Sequence, residues 1–228
     1  MTEKKSAFLH NTQKKTAMTL QQDAVHIRQG CDIMKIFETQ PLVTIQAPMV
    51  RYSKLPFRLL CKEYNTHIMY TPMIIADAYV RSGSARQKEF VTSYCDSPLV
   101  VQFGAKNGVE FGQAAAIVEK YCDAVNVNCG CPQRWAVKEK IGAYLIDHPE
   151  TIRDMIVQKR NMCSNSDFPM SVKIRIHDDL NKTVDLVRQI EKAGASYLTI
   201  HGRTRHTPSS APVNLDAVKL LREQVSIP

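Results

Sequence analysis

The sequence lacks a long apolar run. No window of its 228 residues approaches the roughly 18 apolar residues that a membrane span requires. The first ten residues, MTEKKSAFLH, also lack the apolar stretch of a secretory signal peptide. We therefore expect a protein that works away from a membrane. With 44% hydrophobic and 23% charged residues, the composition is that of an ordinary globular protein of one or two domains.

A disulfide framework is also missing. The seven cysteines are odd in number and scattered along the chain, which favours a reducing compartment and predicts a cytoplasmic protein. Cys129 and Cys131 form one closely spaced pair, but no second pair accompanies it. A lone C-x-C pair is a weak zinc signal, so we predict no metal site.

The balance of charge is strongly positive. A formal net charge of +8 favours a polyanionic partner such as nucleic acid. Charge alone is equally compatible with a basic protein that binds no polyanion.

Apolar runs alternate with helical patterns from Pro41 onward. Six runs have the length and composition of buried strands: 42–45, 68–70, 99–103, 124–128, 171–176 and 197–201. The periodic segments between them predict helices, with Ser53 and Asp147 as helix caps and Leu55, Leu59 and Leu60 on the apolar side of the first.

Six successive β-α units imply a parallel sheet. We predict a (β/α)₈ TIM barrel rather than a doubly wound sheet, because the strands are short, apolar and evenly spaced. Only six units are present, and residues 225–228 resemble the start of a seventh strand. The expectation is a poorly ordered tail over residues 1–40 and a barrel domain over 41–228 that stops after its sixth unit.

Carboxylates are absent from the predicted strand ends, where a barrel places its functional residues. The ends hold amides, a thiol, cations and an imidazole: Gln102, Asn126, Asn128, Cys131, Lys173, Arg175, His201 and Arg203. This set excludes a paired-carboxylate hydrolase and a hard-metal site. It suits a planar heteroaromatic group with a polar edge and a phosphate, such as flavin mononucleotide (FMN). Taken singly, Gln102, Cys131 and His201 could equally be buried structural residues.

Five short motifs, in order and at barrel spacing, resemble the signature of the tRNA-dihydrouridine synthases. They are Pro48-Met49, Gln102-Phe103-Gly104-Ala105, Asn128-Cys129-Gly130-Cys131-Pro132, Val172-Lys173-Ile174-Arg175 and His201-Gly202-Arg203-Thr204. The stretches 47–55 and 129–136 are most similar to the dihydrouridine synthase 4-like branch. The resemblance covers about residues 41 to 228.

The resemblance implies an FMN-dependent enzyme that reduces the C5–C6 double bond of uridine in tRNA with NADPH or NADH. It implies that Cys131 is the proton donor and that Arg175 and Arg203 bind substrate. Residues implied to bind the flavin are Ala47, Pro48, Met49, Val50, Gln102, Asn128, Lys173 and His201. Contacts to tRNA phosphates are expected from Arg51, Lys54, Arg58, Arg134 and Arg205.

The sequence departs from the family pattern at three places. Asn126 replaces an acidic residue, Lys138-Glu139-Lys140 replace a glycine-rich turn, and the segment 205–212 differs. Family members continue into two more strands that hold the FMN phosphate and into a helical tRNA-binding domain, so we expect a truncated or alternative product with weak or absent flavin binding. The alternatives are a non-catalytic product that binds RNA or a partner, and an FMN barrel enzyme acting on free dihydropyrimidines. The sequence does not indicate an oligomeric state.

Overall fold

The computed structural model describes residues 30–228, which build a parallel sheet covered by helices. The strands are β1 (Met69–Tyr70), β2 (Ile74–Ile75), β3 (Leu99–Gly104), β4 (Ala124–Cys129), β5 (Met170–Arg175) and β6 (Tyr197–His201). They pair in the order β1-β3-β4-β5-β6, with β2 also paired to β3, and every pairing is parallel.

Helices precede, connect and follow the strands. They are α1 (Ile33–Thr39), α2 (Leu55–Glu63), α3 (Ala76–Arg81), α4 (Gly83–Glu89), α5 (Gly108–Val118), α6 (Arg134–Lys138), α7 (Pro149–Met162), α8 (Leu180–Ala193) and α9 (Leu215–Arg222). Short 3₁₀ helices span Glu119–Tyr121 and Gly142–Asp147. None of the helices in residues 30–228 is long and apolar enough to cross a membrane.

The two faces of the sheet differ in chemistry. Alternate strand residues, such as Val101, Val127 and Val172, point outward into the main apolar core beneath α5, α7 and α8. The inner face is apolar only where the strands begin and becomes polar toward their carboxyl ends. Along β5, for example, Ser171 is followed by Lys173 and Arg175 on this face. A functional site is therefore built into the inner face of the sheet at one end.

The sheet is strongly curled. β1 and β6 lie four strand spacings apart, roughly 19 Å in a flat sheet. Yet the hydroxyl oxygens of Tyr70 on β1 and Tyr197 on β6 lie 2.7 Å apart. The strands therefore bend around a shared interior and form a parallel half-barrel, which agrees with the predicted class of fold and not with a flat doubly wound sheet.

Helix α1 packs where the strands begin. Ile33 is fully buried in a second apolar cluster with Tyr70, Val100 and Tyr197, and the ring of Phe37 lies 5.0 Å from that of Tyr197. This part of the segment predicted to be a poorly ordered tail thus forms a packed helix, because Ile33 and Phe37 are spaced to share one helix face. The rest of that prediction, over residues 1–29, lies outside the described residues.

The first predicted strand and both predicted caps differ in the structure. Residues 42–45 make only one parallel bridge, between Ile45 and Ile68. Lys54 and His148 occupy the N-cap positions of α2 and α7, without side-chain caps. The hydroxyl of Ser53 bonds instead to the backbone of Met49. At the far end of the sheet, Leu198 donates a hydrogen bond to the carbonyl of Pro228, so the final residues lie beside β6.

Candidate functional site

The sheet register brings the predicted site residues together. Asn128 on β4 is paired with Lys173 on β5, and Arg175 on β5 is paired with His201 on β6. The Cys131 loop follows β4 directly. Five of the predicted residues therefore meet at the carboxyl edge of three adjacent strands.

Asn128 positions the loop that carries Cys131. Its side-chain oxygen accepts hydrogen bonds from the backbone N–H groups of Gly130 and Cys131, both at 2.9 Å. Its amide nitrogen donates to the side-chain oxygen of Gln102, also at 2.9 Å. Asn128 thus fixes the direction of the turn after β4 and leaves one amide hydrogen free for a ligand.

Two further contacts hold the same loop. Arg175 is buried, and its Nε donates to the carbonyl of Gly130 while its Nη1 donates to that of Thr204. Gly142 has a φ of +65°, and a Cβ there would lie 2.8 Å from the Cβ of Cys131. Only glycine meets both demands. These two supports were not predicted. Gly142, eleven positions after Cys131 in the sequence, was a signal for a close approach of the backbone.

A line of buried amides and hydroxyls leads inward from Asn128. The Nε2 of Gln102 donates to Asn126, and the amide of Asn126 donates to Ser171, at 2.7 and 2.8 Å. Gln102 and Asn126 are fully enclosed. Asn126, noted above as a departure from the family pattern, therefore joins two strands through an amide that both donates and accepts.

Lys173 and its neighbours make the site strongly cationic. Burial, with a contribution from Arg175, lowers the pKa of Lys173, and no hydrogen bond or salt bridge joins its ammonium group to residues 30–228. Burial and the charges of Arg175, Lys173 and Arg203 lower the pKa of His201 to about 4. Arg203 also approaches the Nε2 of His201 at 2.9 Å, so this nitrogen acts as an acceptor in a neutral imidazole.

The donor set fits an anionic or amide-edged planar group. The unpaired ammonium of Lys173, the free amide hydrogen of Asn128 and the positive charges of Arg175 and Arg203 lie at the same edge of the sheet, and a negatively charged ring system requires such a set. No cluster of histidine, cysteine or carboxylate side chains suited to a metal occurs in the part of the chain that the structure describes.

One carboxylate does lie nearby. Asp147 forms a salt bridge with Arg205 and lies 3.4 Å from His177. Burial opposes ionisation, but the hydrogen bond and charge of Arg205 and the charge of His177 lower the pKa of Asp147. Arg205, predicted to contact phosphate, is therefore already engaged at the rim of the site.

Arg58 anchors the loop of residues 47–53, which follows the first predicted strand. Ala47 and Val50 are exposed, while Pro48 and Met49 are half-buried. The Nη1 of Arg58 donates to the carbonyl of Ser53, and its guanidinium forms a salt bridge with the carboxylate of Asp96. The phosphate contact predicted for Arg58 is therefore wrong, because this side chain is only 2% exposed and fully paired.

The chain resembles known proteins in sequence. Residues 45–228 match the family model described as dihydrouridine synthase (Dus). A Mus musculus protein named as a tRNA-dihydrouridine(20a/20b) synthase-like protein, with NAD(P)+ in its name, is 48% identical over 200 residues, which are 86% of this chain and 60% of that protein. The corresponding Schizosaccharomyces pombe synthase is also 48% identical, over 86% of this chain and 61% of its own length.

More distant similarities agree with this match. A Rattus norvegicus protein named as a tRNA-dihydrouridine(16/17) synthase-like protein is 36% identical over 81% of this chain and 42% of its own length. Phosphonopyruvate hydrolase shares the fold alone, with a TM-score of 0.53 and 15% identity over 86% of this chain and 69% of that one. The chain spans about 60% of the length of the mouse and fission-yeast relatives. From its motifs, its site and these matches, the chain belongs to the dihydrouridine synthase family.

Proposed function

We propose that this chain carries the catalytic half-barrel of a tRNA-dihydrouridine synthase, which reduces uridine in tRNA with FMN and NADPH or NADH. The observation that carries the proposal is the site itself, in a family whose members are named for this reaction. The Cys131 thiol lies on a loop held by Asn128, and Asn128 is paired in the sheet with Lys173, whose ammonium has no partner within residues 30–228. In this proposal the half-barrel is part of a (β/α)₈ TIM barrel, and the protein is cytoplasmic.

FMN fits the residues at the strand ends. Lys173 offers positive charge where the reduced ring carries negative charge, and the free amide hydrogen of Asn128 can meet a ring edge. Gln102 is largely committed to its neighbouring amides, so its role is to hold Asn128 rather than to bind alone. Residues 47–50, of which Pro48 and Met49 are half-buried and Ala47 and Val50 exposed, would supply a wall for the ring.

Cys131 is the proton donor in this proposal. When FMN is bound and reduced, it would supply the hydride needed at C6 of the uracil ring, and the product also needs a proton at C5. The Cys131 thiol gives this proton, and the reduced base gains one hydride and one proton in total. Asn128, Arg175 and Gly142 hold the thiol-bearing turn in place for the transfer.

The substrate must enter as an unstacked base. A uracil within a tRNA stem or stacked loop cannot reach a ring that lies inside a half-barrel, so the nucleotide leaves its stack. Arg51, Lys54 and Arg134 are exposed on this side and suit contacts to the tRNA phosphates. Arg203 lies closer to the site, beside His201, and is the arginine best placed for the base or its ribose.

The test is dihydrouridine formation. The chain, and a version extended to the length of its relatives, is incubated with FMN, NADPH and unmodified tRNA, and dihydrouridine is measured by mass spectrometry. We expect Cys131→Ala to lower the rate by about a hundredfold or more, as for loss of a general acid. Cys95→Ala, which removes an exposed thiol, is the matched control and retains activity.

Two outcomes contradict the proposal. If neither version forms dihydrouridine from unmodified tRNA, the chain does not carry this activity. If Cys131→Ala is as active as Cys95→Ala, the reduction stands but the proton comes from another group.

A further inference from the structure

Two aromatic side chains are exposed at the rim of the site. Tyr52, in the loop after the first predicted strand, is 71% exposed, and Trp135, on α6, is 46% exposed. Both follow the carboxyl ends of parallel strands, three strand spacings apart, or roughly 14 Å along the sheet. Two exposed rings that follow the strand ends carrying the site are candidates for contact with a ligand of the site.

Trp135 is rigidly linked to the Cys131 loop. Ala136, the next residue, is fully buried, and its carbonyl accepts a hydrogen bond from Ile141. The carbonyl of Cys131 accepts one from Ala143, in the same short segment. The indole N–H donates to the side chain of Gln133. The indole N–H is therefore engaged within the same segment, while the side chain remains 46% exposed and accessible to a ligand.

The cations beside these rings have no partners. Arg51 and Lys54 flank Tyr52, and Arg134 precedes Trp135. All three are exposed, and within residues 30–228 none of them forms a salt bridge or a side-chain hydrogen bond. Apolar rings framed by uncompensated positive charge match a single-stranded nucleic acid, which offers flat bases between phosphates.

We propose that Tyr52 and Trp135 stack on nucleobases that flank the target uridine and so hold the RNA strand open across the site. This inference rests on the proposed function, because a uridine that leaves its stack exposes the faces of its neighbours. The rings replace the stacking lost by these neighbours, while Arg51, Lys54 and Arg134 neutralise the phosphates between them.

The chain offers a direct probe, because Trp135 is its single tryptophan. Its fluorescence is followed while an oligouridylate of about eight nucleotides is added at fixed salt, a length within the range of single-strand sites. We expect saturable quenching by the RNA and none by inorganic polyphosphate of similar charge, which has no bases. Quenching by both would indicate charge alone and would overturn the proposal, as would no quenching, the result expected if the ring binds a protein partner.

Substitutions distinguish stacking by an aromatic ring from contact by an apolar side chain of any kind. Trp135→Leu and Tyr52→Leu keep an apolar side chain but remove the π face, and each is expected to weaken binding of the oligouridylate and of unmodified tRNA about tenfold in a filter-binding assay. Trp135→Phe and Tyr52→Phe retain most of the affinity. Tyr64→Leu is the matched control, because Tyr64 is 79% exposed but lies at the opposite end of the sheet, between α2 and the start of β1.

The two proposals fail in different ways. If dihydrouridine forms and the leucine variants bind as tightly as Tyr64→Leu, stacking is wrong and the enzymatic proposal stands. If the RNA quenches the fluorescence and the leucine variants bind it more weakly, but no dihydrouridine forms, then the rings bind RNA and the enzymatic proposal is wrong.

Discussion

At the scale of single residues, His201 shows how a neighbourhood determines the chemistry of a side chain. Burial is the main reason that protonation of His201 is unfavourable, and the positive charges of Arg175, Lys173 and Arg203 oppose it further. The imidazole is therefore neutral at neutral pH and can accept a hydrogen bond from Arg203. A lone histidine in the sequence gives no sign of this, because two of its three cationic neighbours come from the adjacent strand β5 and the third from the loop after β6.

This neutrality predicts a loss of stability in acid. In the native state the pKa of His201 is about 4, below the value near 6.5 of the unfolded chain. Between these values the unfolded state binds more protons, so the free energy of unfolding falls as the pH drops from 6.5 toward 4. The limit for one proton is about 1.4 kcal/mol per pH unit, and the partial exposure of the ring reduces it.

Urea unfolding measured at pH 7, 6, 5 and 4.5 tests this prediction. His201→Gln keeps an acceptor near Arg203 but cannot take up a proton, so its stability should depend less on pH over this range than that of the unchanged chain. His206→Gln is the control, because His206 is exposed. Equal pH dependence in both variants would show that His201 does not contribute; the remaining slope includes His177, whose pKa is also lowered by burial.

At the scale of single elements, α2 departs in part from the expectation drawn from its sequence. Leu55 and Leu59, predicted to lie on its apolar side, are half-buried, but Leu60 is exposed and Arg58 is the buried residue of this helix. The reason is Asp96, which comes from a loop 38 positions later and is fully buried. A buried arginine is stable only where such a partner is present, and sequence periodicity cannot reveal it.

Arg58→Met should therefore strongly destabilise the protein. The substitution leaves the Asp96 carboxylate buried without its partner, which costs about 3–5 kcal/mol. It also removes the hydrogen bond to Ser53, so the loop of residues 47–53 loses its anchor. Arg51→Met, a change of the same type at an exposed and unpaired arginine, should alter stability by about 0.5 kcal/mol or less.

Thermal and urea unfolding of both variants provide the measurement. A loss below about 1 kcal/mol for Arg58→Met would mean that Asp96 finds another partner or takes up a proton. Protonation would be recognised by partial recovery of stability in acid, which Arg51→Met would not show.

Much of the fold and the site could be predicted from sequence because the responsible signals are local. Short apolar runs such as Leu99–Gly104 fix the strands, and the Asn128–Cys131 turn fixes where the thiol stands. The supports of the site are not local. Arg175 reaches Gly130 across 45 positions, and α1, although capped locally by Asp32, packs on Tyr70 and Tyr197 from distant parts of the chain.

At the scale of the whole molecule, the interior of the half-barrel changes from apolar to cationic along its axis. α1, Tyr70 and Tyr197 close one end, amides occupy the middle, and Lys173, Arg175 and Arg203 surround the other end. The polar site at the carboxyl end of the strands is thus supported by the packed apolar cluster at their other end. The curl of the sheet makes this arrangement possible, and the hydrogen bond between the hydroxyls of Tyr70 and Tyr197 joins its two sides.

A double-mutant cycle across this hydrogen bond tests the curl. Tyr70→Phe or Tyr197→Phe leaves the other buried hydroxyl without its closest partner, at an expected cost of about 1–2 kcal/mol each by urea unfolding. The double variant removes both hydroxyls, so its loss should be smaller than the sum of the single losses by about 0.5 kcal/mol or more. Thr44→Val with Tyr197→Phe, two positions that share no hydrogen bond, is the control in which the two losses are expected to add. In a flat sheet the tyrosines would lie roughly 19 Å apart and would show no coupling, so additivity in the tyrosine pair would contradict the half-barrel itself.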